Sequence, residues 1–122
     1  MKLYLAGPMT GYPRWNFDRF ERGASALRSA GFEVISPAEI DLAEGFDPDA
    51  PAHLFTREHL IAALKRDAEL VLSSDGVAML PNWSTSKGAR AEWALAEAAG
   101  IPTKSVAMWL IGTPHFLEGT NV

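Results

Sequence analysis

The feature that most constrains this chain is an alternation. Short apolar runs, "KLYLAG" at 2–7, "FEVISP" at 32–37, "DGVAML" at 75–80 and a run within "TKSVAMWLI" at 103–111, are separated by longer stretches with helical spacing. Strands alternating with helices predict a parallel sheet covered by helices on both faces. The expected fold is therefore α/β: one domain over residues 1–122, doubly wound, with a four- or five-stranded parallel sheet of the Rossmann or flavodoxin-like kind. Ligands of such folds sit beyond the carboxyl ends of the strands. That rule puts residues 7–15, 37–44 and 81–86 on one rim.

The helices carry the next layer of information. Asn16 is placed to cap a helix running to about Ala30, with Phe17, Phe20, Ala24 and Leu27 as its apolar stripe and Gly31 as its stop. A second helix covers roughly Thr56 to Ser73. Its stripe is Leu60, Leu64, Ala68 and Val71, Asp67 falls on the stripe's edge, and Lys65, Arg66 and Glu69 point elsewhere. Between these helices, residues 38–55 form an acidic stretch with little periodicity. A loop of that length reads either as a lid or binding loop or as a surface insertion.

The third helix holds an anomaly. Ser86 is its expected N-cap, and Gly100 followed by Pro102 is its stop. One face carries Gly88, Ala89, Glu92, Leu95, Ala96 and Ala99, and the opposite face carries Lys87, Arg90, Ala94 and Glu97. Glu97 is thus solvated, while Glu92 lies on the stripe that should be buried. Gly88, one turn earlier, leaves space above the Glu92 carboxylate beside the free N–H groups of a helix start. A carboxylate, an empty space and an anion-friendly helix end point to a substrate pocket. The competing reading is plainer: a glutamate complementing the helix dipole and a glycine permitting close packing. Asp67 has the same two readings, a site carboxylate or an ordinary ion-pair partner.

Composition closes off other chemistries. The chain has 48% hydrophobic and 21% charged residues and a net charge of −4, which suits a soluble domain without a basic footprint for nucleic-acid polymers. Cysteine is absent, so disulfides, thiolate nucleophiles and cysteine-based zinc sites are excluded. His53, His59 and His115 show no metal-ligand spacing and read as surface or loop residues. No metal or cofactor is expected. No apolar run reaches membrane-spanning length, and the amino terminus runs straight into a strand pattern, so the expected location is cytoplasmic, without membrane contact. "GPMTG" lacks the Walker lysine and the dinucleotide-binding spacing, and no G-x-S-x-G elbow occurs. Trp15, Phe17 and Trp83 lie in or beside rim loops, where they either stack on a planar base or belong to the core.

The segments "YLAGPMTG" at 4–11, "NF" at 16–17, "GFEVISPAE" at 31–39 and "NWSTSKGARAE" at 82–92 together resemble a small, phage-type domain family of the nucleoside 2-deoxyribosyltransferase-like kind. The wider superfamily includes 2'-deoxynucleoside 5'-monophosphate N-glycosidases. The resemblance spans roughly residues 2–102. It implies cleavage of an N-glycosidic bond by a glutamate nucleophile, with base exchange between deoxynucleosides as the alternative. A nucleotide-binding or sensing module without turnover is the reading from a different class. Ser86, Gly88 and Glu92 match the S-x-G-x-x-x-E spacing of the nucleotide hydrolases. Tyr4 matches a strand tyrosine beside the nucleophile, and Asp67 an aspartate that contacts the sugar or assists the leaving base. The expected catalytic residues are Glu92, Tyr4 and Asp67. The expected substrate-binding residues are Gly7, Met9, Trp83, Ser86 and Gly88, with Lys87 or Arg14 adding charge for a phosphate. The implied partner is a small nucleoside or nucleotide, and the resemblance implies a homo-oligomer in which a C-terminal residue of a neighbouring subunit completes the site. "SVAMWLIGTPHFLEGTNV" does not match that C-terminal pattern clearly, and neither Ser105 nor Asn121 is assigned to it.

Overall fold

The computed structural model describes residues 1–111. Its elements alternate as expected: β1 Lys2–Ala6, α1 Phe17–Ser29, β2 Glu33–Ile35, α2 Pro37–Ala43, α3 Arg57–Leu72, β3 Gly76–Met79, α4 Lys87–Ala98, β4 Thr103–Ser105 and α5 Val106–Leu110. The four strands form one parallel sheet in the order β2-β1-β3-β4. The chain moves outward from β1 to β2, then crosses back over β1 to β3. The strand order therefore reverses at β1 and β3, which makes the crevice at their carboxyl ends the switch point of the sheet.

Alternation along β1 separates two cores. Leu3 and Leu5 pack with Phe17, Phe20, Ala24, Leu27 and Trp109 on the α1 and α5 face. Tyr4 and Ala6 pack with Val71, Val77, Met79, Ala89 and Ala96 on the α3 and α4 face. The expected stripe of α1 is buried throughout. Trp109 closes the first core at its lower edge. A Cβ at Gly76 would lie 2.7 Å from the Trp109 ring, so glycine makes the seat for this indole, whose Nε1 donates to the Val77 carbonyl at 2.9 Å.

Three expectations about the elements change, and one, the strand within 103–111, is narrowed. Residues 38–55 are not an unstructured loop: Pro37 opens α2, and a 3-10 turn follows at Ala52–Leu54. Proline at the first helical position is preorganised for a helix, and two turns are too few to show a period. Asn16 precedes α1 in a left-handed conformation without capping it; its side-chain Nδ2 donates to the Pro8 carbonyl instead, at 2.9 Å. The run at 103–111 is a strand only as far as Ser105, which caps α5 by accepting from the Met108 N–H. Finally, of the stripe expected on α3, Val71 alone is buried, while Leu60 and Leu64 are 46% and 40% exposed. The cause is length. Sixteen helical residues span about 24 Å and four strand residues about 13 Å. Because a crossover helix runs antiparallel to its strands, the first turns of α3 overhang the carboxyl ends of the sheet. Among the described residues, no helix is long and apolar enough to cross a membrane.

Candidate active site

Tyr4 sits on β1 with its whole side chain buried. From there its hydroxyl reaches α4 and donates to Glu92 Oε2 at 2.5 Å. Both residues lie on the α3/α4 side of the sheet, which answers the anomaly of the third helix: the carboxylate on the buried stripe has a strand hydroxyl waiting for it. Burial pushes the Glu92 carboxyl up to about 8, against the bond from Tyr4, which favours the ionised form; Asp67 adds a further upward push and Arg66 a downward one. Burial, followed by the charge of Glu92, likewise drives the Tyr4 hydroxyl well above its ordinary value, so it remains a donor.

A cavity of about 470 Å³ opens above this pair at the switch point. Gly7, Met9, Ser86, Gly88, Asp67 and Glu92 all line it. Three of these positions have a clear local cause. A Cβ on Gly7 would lie 2.8 Å from Leu80 Cβ, so glycine lets the ends of β1 and β3 close together under the cavity. Ser86 caps α4, its Oγ accepting from the Ala89 N–H at 3.2 Å, and its hydroxyl proton remains available to a ligand. A Cβ on Gly88 would approach no atom outside its own helix backbone nearer than Ser86 Oγ at 3.9 Å, so the space above Glu92 is real. Trp15, Phe17 and Lys87 also line the cavity.

Two expected contributors lie elsewhere. Trp83 is not in the cavity; its ring packs against the second core and stacks on the exposed Trp93 of α4 at 5.7 Å between centroids. Arg14 is held outside by Asp49 and Asp18 at 2.8 and 2.7 Å. His59 belongs to the start of α3, where it forms a capping box with Thr56, and His53 is exposed in the 3-10 turn. Asn121 and His115 lie outside the described residues.

Two residues of the site were not foreseen. Arg66, expected only to point away from the apolar stripe of α3, folds back to Asp67 at 2.9 Å and Asp41 at 2.8 Å, with Glu44 at 3.3 Å. Asp41, on α2, lines the cavity. Burial raises the Asp67 carboxyl above its ordinary value, and Arg66 opposes that rise without cancelling it. Burial raises Asp41 in the same way. The acidic run that held Asp41 was visible in the sequence, but its partner sits on another element. Beside this site, Phe46, Phe55 and Trp15 meet edge to face or tilted, at 5.1 to 5.9 Å, and wall a second cavity of about 630 Å³. Among the described residues, no cluster of histidine, cysteine and carboxylate side chains is arranged to hold a metal ion.

Fold and site together define a class: a Rossmann-like α/β domain with a tyrosine-held carboxyl group at the switch point of a parallel sheet. Residues 1–105 match the family described as "Domain of unknown function (DUF4406)", and the chain belongs to that family. No curated protein matches the chain. Among solved structures, the chain is similar to the 2-deoxyribosyltransferase of the psychrotolerant bacterium Bacillus psychrosaccharolyticus, with a TM-score of 0.61 and 22% identity over 84% of this chain and 69% of the other. That likeness establishes a shared fold.

Proposed function

We propose that this protein cleaves the N-glycosidic bond of 2'-deoxynucleoside 5'-monophosphates, with Glu92 as the nucleophile. The observation that carries the reading is the pair of buried Tyr4 and half-buried Glu92 at the floor of a cavity of nucleotide size. The shared fold with a 2-deoxyribosyltransferase supports the substrate class. In the reaction, a Glu92 oxygen bonds to the anomeric carbon as the carbon–nitrogen bond breaks. The bonding pair leaves with the base, which takes a proton from solvent. Water then hydrolyses the glycosyl ester and restores the carboxyl group. Tyr4 orients Glu92 and supports its ionised form. The Ser86 hydroxyl, the N–H groups at the start of α4 and Lys87 receive the 5'-phosphate. Trp15 and Phe17 offer apolar ring surface to the base. The exposed Leu60 and Leu64 stand at the same cavity, and a second copy of the chain covering them would complete its wall.

The test is incubation with a panel of deoxynucleosides and their monophosphates, with chromatographic detection of free base. Glu92→Gln should lower base release by on the order of 10³-fold or more, while nucleotide binding survives. Glu97→Gln, on the solvated face of α4, should change little. Wild-type turnover by Glu92→Gln would remove the nucleophile assignment. Base exchange is the second reading, favoured by the aromatic cavity adjoining the site; it predicts that an added free base appears in new nucleoside. Nucleotide binding without release of any base would instead make the domain a sensor.

A further inference from the structure

Three carboxyl groups, Asp41, Asp67 and Glu92, face one cavity, and Arg66, which lines the adjoining cavity, pairs with the first two from behind. We propose that Arg66 is a positioning residue: held between Asp41 of α2 and Asp67 of α3, it keeps Asp67 ionised and aimed at the substrate beside Glu92. The inference rests on the reading of this cavity as a nucleotide site, and it selects one of two roles for Asp67. An Asp67 held as the carboxylate accepts hydrogen bonds from the sugar and attracts the developing positive charge; it does not supply the proton for the leaving base.

The geometry carries the argument. The Arg66 Nε donates to Asp67 Oδ1 at 2.9 Å, which engages one carboxylate oxygen and leaves Oδ2 out of that bond. Its Nη1 reaches across to Asp41 Oδ1 at 2.8 Å. The guanidinium therefore ties α2, the element between the two cavities, to α3, the element that carries Asp67. The side chains of Arg66 and Asp41 are each 20% exposed and that of Asp67 is 14% exposed, so solvent screens these pairs far less than surface pairs. The arrangement is not tuned for stability alone. Arg66 Nη2 is buried without a hydrogen-bond partner, a cost that replacement by a shorter or apolar side chain would avoid.

The groups that face Asp67 come from four elements: Tyr4 from β1, Asp41 from α2, Arg66 from α3 itself, and Glu92 from α4, with Lys87 exposed on the same cavity and Glu44, just after α2, on the far side of Arg66. Burial raises the Asp67 carboxyl, Arg66 lowers it by bond and charge, and Asp41 raises it. Two substitutions within one ion-pair network should thus act in opposite directions, which a merely structural role would not produce.

The experiment is site-resolved carbon NMR titration of the Asp67 and Glu92 carboxyls, which needs no substrate, alongside pH profiles of base release. Arg66→Gln should move the Asp67 midpoint up by about 1–3 pH units. Arg66 also lowers the Glu92 carboxyl, which sets the ascending limb of kcat, so that limb should move to higher pH with its plateau kept, and raising the pH should rescue the variant. Asp41→Asn should move the Asp67 midpoint down. Arg66→Lys keeps the charge and should hold the midpoint close to that of the wild type, with a raised KM from the lost two-armed geometry. If Arg66→Gln does not fold, the signs for Asp41→Asn and Arg66→Lys decide. An Asp67 midpoint unmoved by Arg66→Gln, or raised by Asp41→Asn, overturns the proposal. If the midpoints move as expected while no substrate releases base, the role of Arg66 stands and the hydrolase reading fails.

Discussion

At the scale of single residues, the site is governed by the opposition between burial and hydrogen bonding at Glu92. Burial raises its carboxyl to about 8, and the Tyr4 hydroxyl works against that rise. A nucleophilic carboxylate must be ionised, so kcat/KM for base release should climb with pH through about 8 before levelling. Tyr4→Phe removes the bond that favours ionisation. The ascending limb should then move to still higher pH, and the loss at neutral pH should exceed the loss at pH 9; parallel pH profiles would expose a purely structural effect as an equal loss at both. The same shift has a stability consequence of definite sign. The folded protein holds the Glu92 proton up to about 8 and the unfolded chain up to about 4.5, so this group's contribution is full below 4.5 and declines as pH rises between those values. Glu92→Gln has no such decline. Urea midpoints should show the variant gaining on the wild type from pH 5 to pH 9; a constant difference would mean that the carboxyl is not buried as described.

At the scale of elements, the start of α4 serves two purposes. Ser86 caps the helix through the Ala89 N–H, and in the proposed function its hydroxyl also meets a phosphate. Ser86→Ala should therefore cost about 1 kcal/mol of stability from the lost cap. It should also reduce the preference for a 5'-monophosphate over the free nucleoside, by about 1.5–3 kcal/mol for one hydrogen bond to a charged group. Thermal denaturation reads the first effect and the ratio of kcat/KM values reads the second. A lost cap with unchanged preference would place the phosphate elsewhere. The junction below is just as specific. Gly7→Ala sets a Cβ 2.8 Å from Leu80 Cβ, a backbone-anchored atom that cannot swing aside. The ends of β1 and β3 must part, at about 1–3 kcal/mol, and the variant should lose both melting temperature and activity.

At the scale of the whole molecule, one short helix joins the two ends of the described chain. α5 returns under the sheet and seats Trp109 on Gly76, against the Leu3 side chain of the first strand. Trp109→Ala empties that seat and leaves the Val77 carbonyl without its indole donor, so unfolding free energy should fall by about 3–5 kcal/mol in denaturant titration. Because Trp109 does not line the cavity, which opens at the carboxyl ends of the strands, activity per folded molecule should persist. The overhang of α3 also belongs to this scale. A helix about twice as long as its neighbouring strand must project past the sheet, and here it projects over the switch point, carrying Leu60, Leu64 and Asp67 to the cavity.

The sequence by itself determined the class of fold, because alternating apolar runs and helical stripes admit few arrangements other than a parallel sheet with helices on its faces. It also singled out Glu92, since a carboxylate on a buried stripe contradicts its local pattern, and it identified the Ser86 cap and the space at Gly88 within the same few turns. These signals are local: each is carried by residues within about four positions of one another, which is the reach of helical periodicity. Only the tertiary structure decided which residues meet from different elements. Tyr4 and Glu92 are 88 positions apart, and their bond exists because β1 faces α4 across one core. Arg66 reads as lying off the apolar stripe of its own helix, yet it turns inward because Asp41 arrives from α2. Trp83 reads as a site aromatic, yet it stacks on Trp93 and packs against the core on the α3/α4 side. A charge or a ring at the edge of a helix has several orientations of similar local energy, and the partner supplied by a distant element selects among them.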